Sequence, residues 1–185
     1  DGSAVVGFSS GGKAALLAVA TDERIALTAP NGSGSGGAGC FRWQGPDSET
    51  LADTQRLVPY WYGPQLWDFV GREHEMPFDQ HFLKALVAPR PMLCTEGLED
   101  EWANPWGCQQ TTEAVREVYT FLGVTEKVGN HYRQGGHHHN EEDWEALLDF
   151  SDYNFFGKAL PSDFYKENFA KVDSLVNWKS PAPLV

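Results

Sequence analysis

The chain has 185 residues, of which 41% are hydrophobic and 13% aromatic, enough apolar material for one packed core and a length that fits a single domain. Fourteen Lys and Arg against 26 Asp and Glu leave a formal net charge of −12, which repels a phosphate backbone and argues against nucleic acid or an anionic membrane as partner. No apolar run approaches the roughly 18–20 residues that span a bilayer, and Asp1-Gly2-Ser3 has the character of neither a charged leader nor a signal segment, so the chain reads as a soluble protein.

Ala4-Val5-Val6-Gly7-Phe8 is a short apolar run that predicts a buried strand, and it ends at the turn Ser9-Ser10-Gly11-Gly12. Lys13 to Ala20 follows with strong helix formers. A second strand is expected over residues 25–29, running into the glycine- and serine-rich stretch Pro30 to Gly37, which leaves mostly backbone to line whatever lies beside it. Residues 40–72 read as irregular and aromatic, with Trp43, Tyr60, Trp61, Tyr62, Trp67 and Phe69 serving either loop packing or substrate lining. A short helix over 82–87 ends at Pro89, and a third strand is expected over 91–95. The acidic loop from Glu96 to Trp102 comes next, then a helix over 110–122, a fourth strand over 127–132, the turn Gly135-Gly136-His137-His138-His139 and an amphipathic helix over 141–150. Alternation of strands and helices predicts a parallel sheet with helices on both faces, a three-layer sandwich. A domain over residues 1–160 and a proline-punctuated surface tail over 161–185 complete the expected organisation.

Gly7-Phe8-Ser9-Ser10-Gly11 is a Gly-x-Ser-x-Gly run placed between strand and helix. In that context it predicts a nucleophile elbow, a strained turn that projects the serine hydroxyl above the sheet edge while the next helix offers backbone N–H groups to an oxyanion. A serine needs a base, and this architecture requires the chain order serine, acid, histidine. The loop after the third strand supplies four acids, Glu96, Glu99, Asp100 and Glu101, and the loop after the fourth supplies His137, His138 and His139. His137, after two glycines, is preferred over His139 as base. Adjacent histidines in extended chain point to opposite sides, and no His-Glu-x-x-His run accompanies them, so no metal site is expected. His74, His81 and His131 lack a surrounding motif. Three cysteines, Cys40, Cys94 and Cys108, are too few for a disulfide scaffold and lack zinc spacing.

These residues resemble the glucuronoyl esterases, carbohydrate esterase family fifteen, and related bacterial α/β-hydrolases. The pattern Gly-x-Ser-x-x-Gly-Lys is met by Gly7, Ser9, Gly12 and Lys13, and Glu23-Arg24-Ile25-Ala26-Leu27-Thr28 echoes a second landmark. Ser33, Gly34, Gly36, Gly37, Ala38 and Cys40 match a third, and Phe78 to Pro91, Trp102-Ala103-Asn104-Pro105 and Gly135-Gly136-His137 follow in the same order. The resemblance implies the C-terminal part of an α/β-hydrolase fold and hydrolysis of a carboxylic ester through an acyl-serine, in the best-known members the 4-O-methyl-glucuronoyl ester joining xylan to lignin alcohols. It favours Asp100 as the acid with Ser9 and His137, places Lys13 and Trp102 at the sugar and puts Ser10 at the oxyanion hole, where the family has an arginine. It sets Gly32 where fungal members carry an acidic glutamate, and implies a Cys40–Cys108 disulfide and with it a secreted or periplasmic location. Alternatives for Lys13 and Trp102 are a solvated helix-start lysine and a buried loop anchor.

The expectation is therefore a serine carboxylesterase with no metal or organic cofactor, acting on a small-molecule or polysaccharide ester. A hydrolase sheet has strands before its elbow, so a preceding half or a second chain is expected to complete it. The rival reading is a non-catalytic carbohydrate-binding or assembly module that keeps the hydrolase geometry.

Overall fold

The four expected strands form one parallel sheet. In the computed structural model, which describes residues 2–160, 163–172 and 179–182, β1 (Ala4–Phe8), β2 (Leu27–Asn31), β3 (Met92–Gly97) and β4 (Val128–Arg133) lie side by side in chain order. Ala4 sits opposite Leu27 and Phe8 opposite Asn31, while Met92 sits opposite Val128 and Gly97 opposite Arg133, so the carboxyl ends of all four strands reach one edge together. Parallel neighbours need crossovers, and helices supply them: α1 (Ser10–Thr21) between β1 and β2, α2 (Leu51–Leu57) and α3 (Gln80–Ala85) within the long excursion before β3, and α4 (Pro105–Phe121) before β4. A final helix, α5 (Glu141–Phe156), returns across the other face.

Successive strand residues point to opposite faces, which divides the core into two layers. On one face Val5, Met92, Cys94 and Val128 pack against Leu16 and Val19 of α1 and Val115 and Tyr119 of α4. On the other, Leu27, Ala29 and Leu93 meet Ala146, Leu147 and Phe150 of α5. The aromatic excursion builds a small core of its own from Phe41, Leu51 and Met76, with Tyr62, Trp67 and Phe69 packed against it, whereas Tyr60 and Trp61 stay exposed.

Local differences from the sequence expectations have local causes. Strand β2 runs two residues later than expected because Ile25 is used elsewhere, its carbonyl accepting from the Arg90 guanidinium at 2.9 Å. Helix α4 begins at Pro105 rather than at 110, since Asn104 caps it by accepting from Gly107 N–H at 2.9 Å and proline suits a first helical turn. Helix α2 lies in the stretch expected to be irregular and is held by a capping box between Thr50 and Asp53. Within the expected surface tail, Phe164 is buried in the α5 layer and its carbonyl accepts from Asn130 N–H at 2.8 Å, while Gln109 Oε1 accepts from the amides of Asn168 and Phe169. The remaining tail positions, 161–162, 173–178 and 183–185, lie outside the described residues.

The expected Cys40–Cys108 bridge is corrected: Cys40, Cys94 and Cys108 are all free and buried. Helix α4 presents Thr111, one turn beyond Cys108, to the loop that carries Cys40, and Thr111 donates to Ala38 O at 2.5 Å. Cys108 faces inward instead, 3.8 Å from Lys84 Nζ and from Asn130 Oδ1, while Cys40 Sγ donates to Trp43 O at 3.1 Å. Burial pushes the Cys40 thiol up to about 12.

Candidate active site

Ser9 links β1 to α1 with φ 56° and ψ −124°, a backbone conformation unusual for any residue but glycine. The turn closes tightly: a Cβ on Gly7 would lie 2.0 Å from Gly11 O, and one on Gly12 would lie 2.7 Å from Ser33 Cβ. Ser9 N–H donates to Asn31 O at 2.9 Å, tying the elbow to the end of β2. Ser10 follows as the first, exposed residue of α1.

Above this elbow Ser9 Oγ lies 3.0 Å from His137 Nε2, and His137 Nδ1 lies 2.7 Å from Asp100 Oδ2. Asp100 is buried and its Oδ1 also accepts from Ala103 N–H at 3.2 Å, which orients the carboxylate. The Phe8 ring lies 4.6 Å from the His137 ring, centre to centre. His139 stacks on Trp144 at 4.7 Å, with the Phe8 ring 6.3 Å away, and His138 is exposed. Of the other acids, Glu99 and Glu101 are exposed, and Glu96 is fully buried on β3 with neither carboxylate oxygen hydrogen-bonded. Burial, with Cys94 beside it, drives the Glu96 carboxyl well above its ordinary range.

Two loops had to meet for this. Leu98 N–H donates to Arg133 O at 2.9 Å and Glu99 N–H to Gly135 O at 3.1 Å, so the acid loop and the histidine loop continue the pairing of β3 with β4 past the sheet edge. A Cβ on Gly97 would lie 2.5 Å from the carbonyls of Gly135 and Gly136, so only glycine admits that approach.

Beside the serine, Lys13 is not a solvated helix-start lysine. Its Nζ donates to Glu49 Oε2 at 2.6 Å and to Ser35 O at 2.5 Å and stands 5.6 Å from the Trp61 ring centre. Burial lowers the Lys13 pKa while the Glu49 carboxylate opposes the shift. Gly34, at φ +59°, makes room for the pair, since a Cβ there would stand 2.9 Å from Glu49 Oε2. No motif in the sequence marks Glu49, which lies in a stretch expected to be irregular; only its contact with Lys13 singles it out. Trp102 is 43% exposed rather than a buried anchor, and its carbonyl accepts from Glu49 N–H at 3.0 Å. An adjoining cavity of about 510 Å³ is lined by Ser10, Lys13, Phe41, Trp61, Tyr62 and Phe78 among others.

A parallel sheet whose elbow serine, acid loop and histidine loop converge at its carboxyl edge is the α/β-hydrolase fold from the elbow onward. The family described as "Glucuronyl esterase, fungi" matches residues 1–123. The chain is 35% identical, over 84% of its length, to carbohydrate esterase MZ0003 from an unknown prokaryotic organism, covering 39% of that protein. It is 32% identical over 96% of its length to 4-O-methyl-glucuronoyl methylesterase 1 of Wolfiporia cocos, covering 47% of it. Among solved structures, a carbohydrate esterase family 15 glucuronoyl esterase from Caldicellulosiruptor kristjansonii superposes with a TM-score of 0.90 and 36% identity, over 96% of this chain and 49% of that one. A Sporotrichum thermophile glucuronoyl esterase variant, solved in complex with methyl 4-O-methyl-β-D-glucopyranuronate, gives a TM-score of 0.79 and 27% identity over 92% and 48% of the two chains. This chain belongs to the glucuronoyl esterase family, carbohydrate esterase family 15. It spans between two fifths and one half of the relatives named.

Proposed function

We propose that this chain carries the catalytic machinery of a serine carboxylesterase acting on carbohydrate-linked esters, with 4-O-methyl-glucuronoyl esters of xylan and lignin alcohols as the substrate class. The observation that carries the proposal is the 3.0 Å approach of His137 Nε2 to a serine hydroxyl held in a strained elbow. In the reaction, His137 Nε2 takes the Ser9 proton as Oγ attacks the ester carbonyl, and Asp100 orients the ring and stabilises its imidazolium form. The tetrahedral oxyanion faces the N-terminus of α1, where the Ser10 N–H is available to it. Collapse breaks the bond to the alcohol, which leaves with the proton from His137. A water, deprotonated by the same nitrogen, then attacks the acyl-serine; the acyl–Oγ bond breaks, Ser9 Oγ takes the proton back from His137 and the uronic acid is released. Nothing in this sequence of steps asks for a cofactor.

Lys13, held by Glu49, and the exposed Trp102 are the proposed sugar contacts. The names of the relatives and the ligand in the Sporotrichum complex support the uronate class. A secreted or periplasmic location rests on the family resemblance alone, now without the disulfide. We also propose that further polypeptide, from the same or a second chain, covers the open edge of β1. The exposed Leu17 of α1, the helix packed on β1, supports that reading. Labelling with a fluorophosphonate probe, with Ser9→Ala as control, is the test. Stoichiometric labelling that the variant loses upholds the esterase; a folded protein that does not label belongs to the non-catalytic reading.

A further inference from the structure

Beyond its contacts with Asp100 and Ser9, the His137 side chain has little packing around it: 37% of it is exposed, and the Phe8 ring lies 4.6 Å away, centre to centre. Its place depends on the backbone of the loop between β4 and α5, and that loop contains Gly135 at φ +92° and Gly136, which stiffen nothing by themselves. What fixes the loop lies underneath it. Arg133, the last residue of β4, is buried to 1% exposure and sends its whole guanidinium into the loop. Nη1 donates to Gln134 O and to Gly136 O, each at 3.2 Å, and Nη2 donates to His138 O. Both carbonyls that bracket His137, those of Gly136 and His138, are therefore held by one rigid planar group.

The guanidinium is itself anchored. Nε donates to Asp143 Oδ2 at 2.8 Å, and the same oxygen accepts from Asn140 N–H at 3.0 Å in the capping box that starts α5. Asp143 is as buried as its partner, with 0% side-chain exposure. A buried ion pair contributes little to stability compared with apolar residues of the same volume, so its retention here asks for another role. Lysine has the charge but not the fork, and from this position it cannot serve carbonyls in several directions at fixed angles.

We propose that Arg133, oriented by Asp143, is a positioning residue for His137: it holds the two peptide groups around the histidine so that Nε2 meets Ser9 and Nδ1 meets Asp100. The role rests on the esterase reading above, in which His137 is the base. Displacement of a reacting group by about 1 Å can cost roughly 100-fold in rate, which sets the size of the effect.

The experiment uses the whole chain with Arg133→Lys and Asp143→Asn, read by thermal melting, by the imidazole resonances of His137 in ¹⁵N-labelled protein and by the rate of fluorophosphonate labelling. Arg133→Lys is expected to keep native circular dichroism, lose the low-field Nδ1–H signal of the His137–Asp100 hydrogen bond, and label about 100-fold more slowly. Asp143→Asn leaves the carbonyl bonds of Arg133 in place and is expected to shift the same resonances with a smaller rate loss. A folded Arg133→Lys with wild-type His137 resonances and labelling rate overturns the proposal. If that variant does not fold, unchanged His137 resonances in Asp143→Asn overturn it instead. Wild-type protein that fails to label overturns the esterase reading, and the resonances then test the positioning on their own.

Discussion

Gly32 and Asp100 share one space: a Cβ at position 32 would stand 3.3 Å from Asp100 Oδ2 and 3.5 Å from His137 Nδ1. An acid can reach this histidine from the end of β2 or from the loop after β3, but a side chain at 32 crowds the carboxylate arriving from 100. Asp100→Ala is expected to slow fluorophosphonate labelling by a factor on the order of 10⁴, the cost of losing the group that orients a triad histidine. Adding Gly32→Glu to Asp100→Ala should return part of that rate. Equal rates in the single and double variants would show that the two positions do not serve the same ring. Gly32→Ala alone forces a side chain onto a residue at φ +47° and costs about 1–2 kcal/mol, read as a lower melting temperature.

Variants of the Lys13–Glu49 pair test the proposed sugar binding separately from serine activation. Both side chains are nearly buried, at 11% and 8% exposure, so removing one charge strands the other, and Glu49→Gln or Lys13→Met is expected to cost about 3–5 kcal/mol of stability. Because neither side chain hydrogen-bonds to Ser9 or His137, a small fluorophosphonate should label the folded variants near the wild-type rate, while KM for a glucuronoyl ester rises. Labelling that collapses together with ester hydrolysis would assign the pair to the elbow rather than to the sugar.

All three cysteines are unbridged and buried. Titration with a thiol reagent should find no reactive group in the native protein and three after unfolding in guanidinium without reductant. Only one after unfolding would mean that a bridge exists after all and would reopen the case for an oxidising compartment.

Glu96 makes stability depend on pH in a defined direction. Burial raises its carboxyl pKa in the folded chain, so between the ordinary value of 4.5 and the raised one the folded state holds a proton that the unfolded state has released. Stability then falls as pH rises through that window, by at most about 1.4 kcal/mol per pH unit. Urea unfolding from pH 5 to pH 9 should show that decline in the wild type and a flatter profile in Glu96→Gln. Parallel profiles would mean that the native chain accommodates the charge.

Much of this architecture follows from the sequence because its causes are local. Short runs rich in apolar residues form strands where the fold covers them. Met92–Gly97 is covered fully and Ala4–Phe8, expected to be buried, only in part, because β1 is an edge strand among the described residues. Glycines at 7 and 12 permit a turn that no other residue fits. The order of serine, acid loop and histidine loop along the chain is a sequence property as well. Which acid faces which histidine is not. Glu96, Glu99, Asp100 and Glu101 are neighbours in one short loop, and their separation into a buried carboxyl without partners, a histidine contact and two exposed charges is set by how β3 pairs with β4 and where the Arg133 guanidinium holds the opposite loop. Glu49 meets Lys13 only because the glycine-rich loop brings distant backbone close, and Cys108 misses Cys40 because one helical turn puts Thr111 in its place. Contacts across long sequence separations carry no periodic or compositional signature, so packing alone determines them.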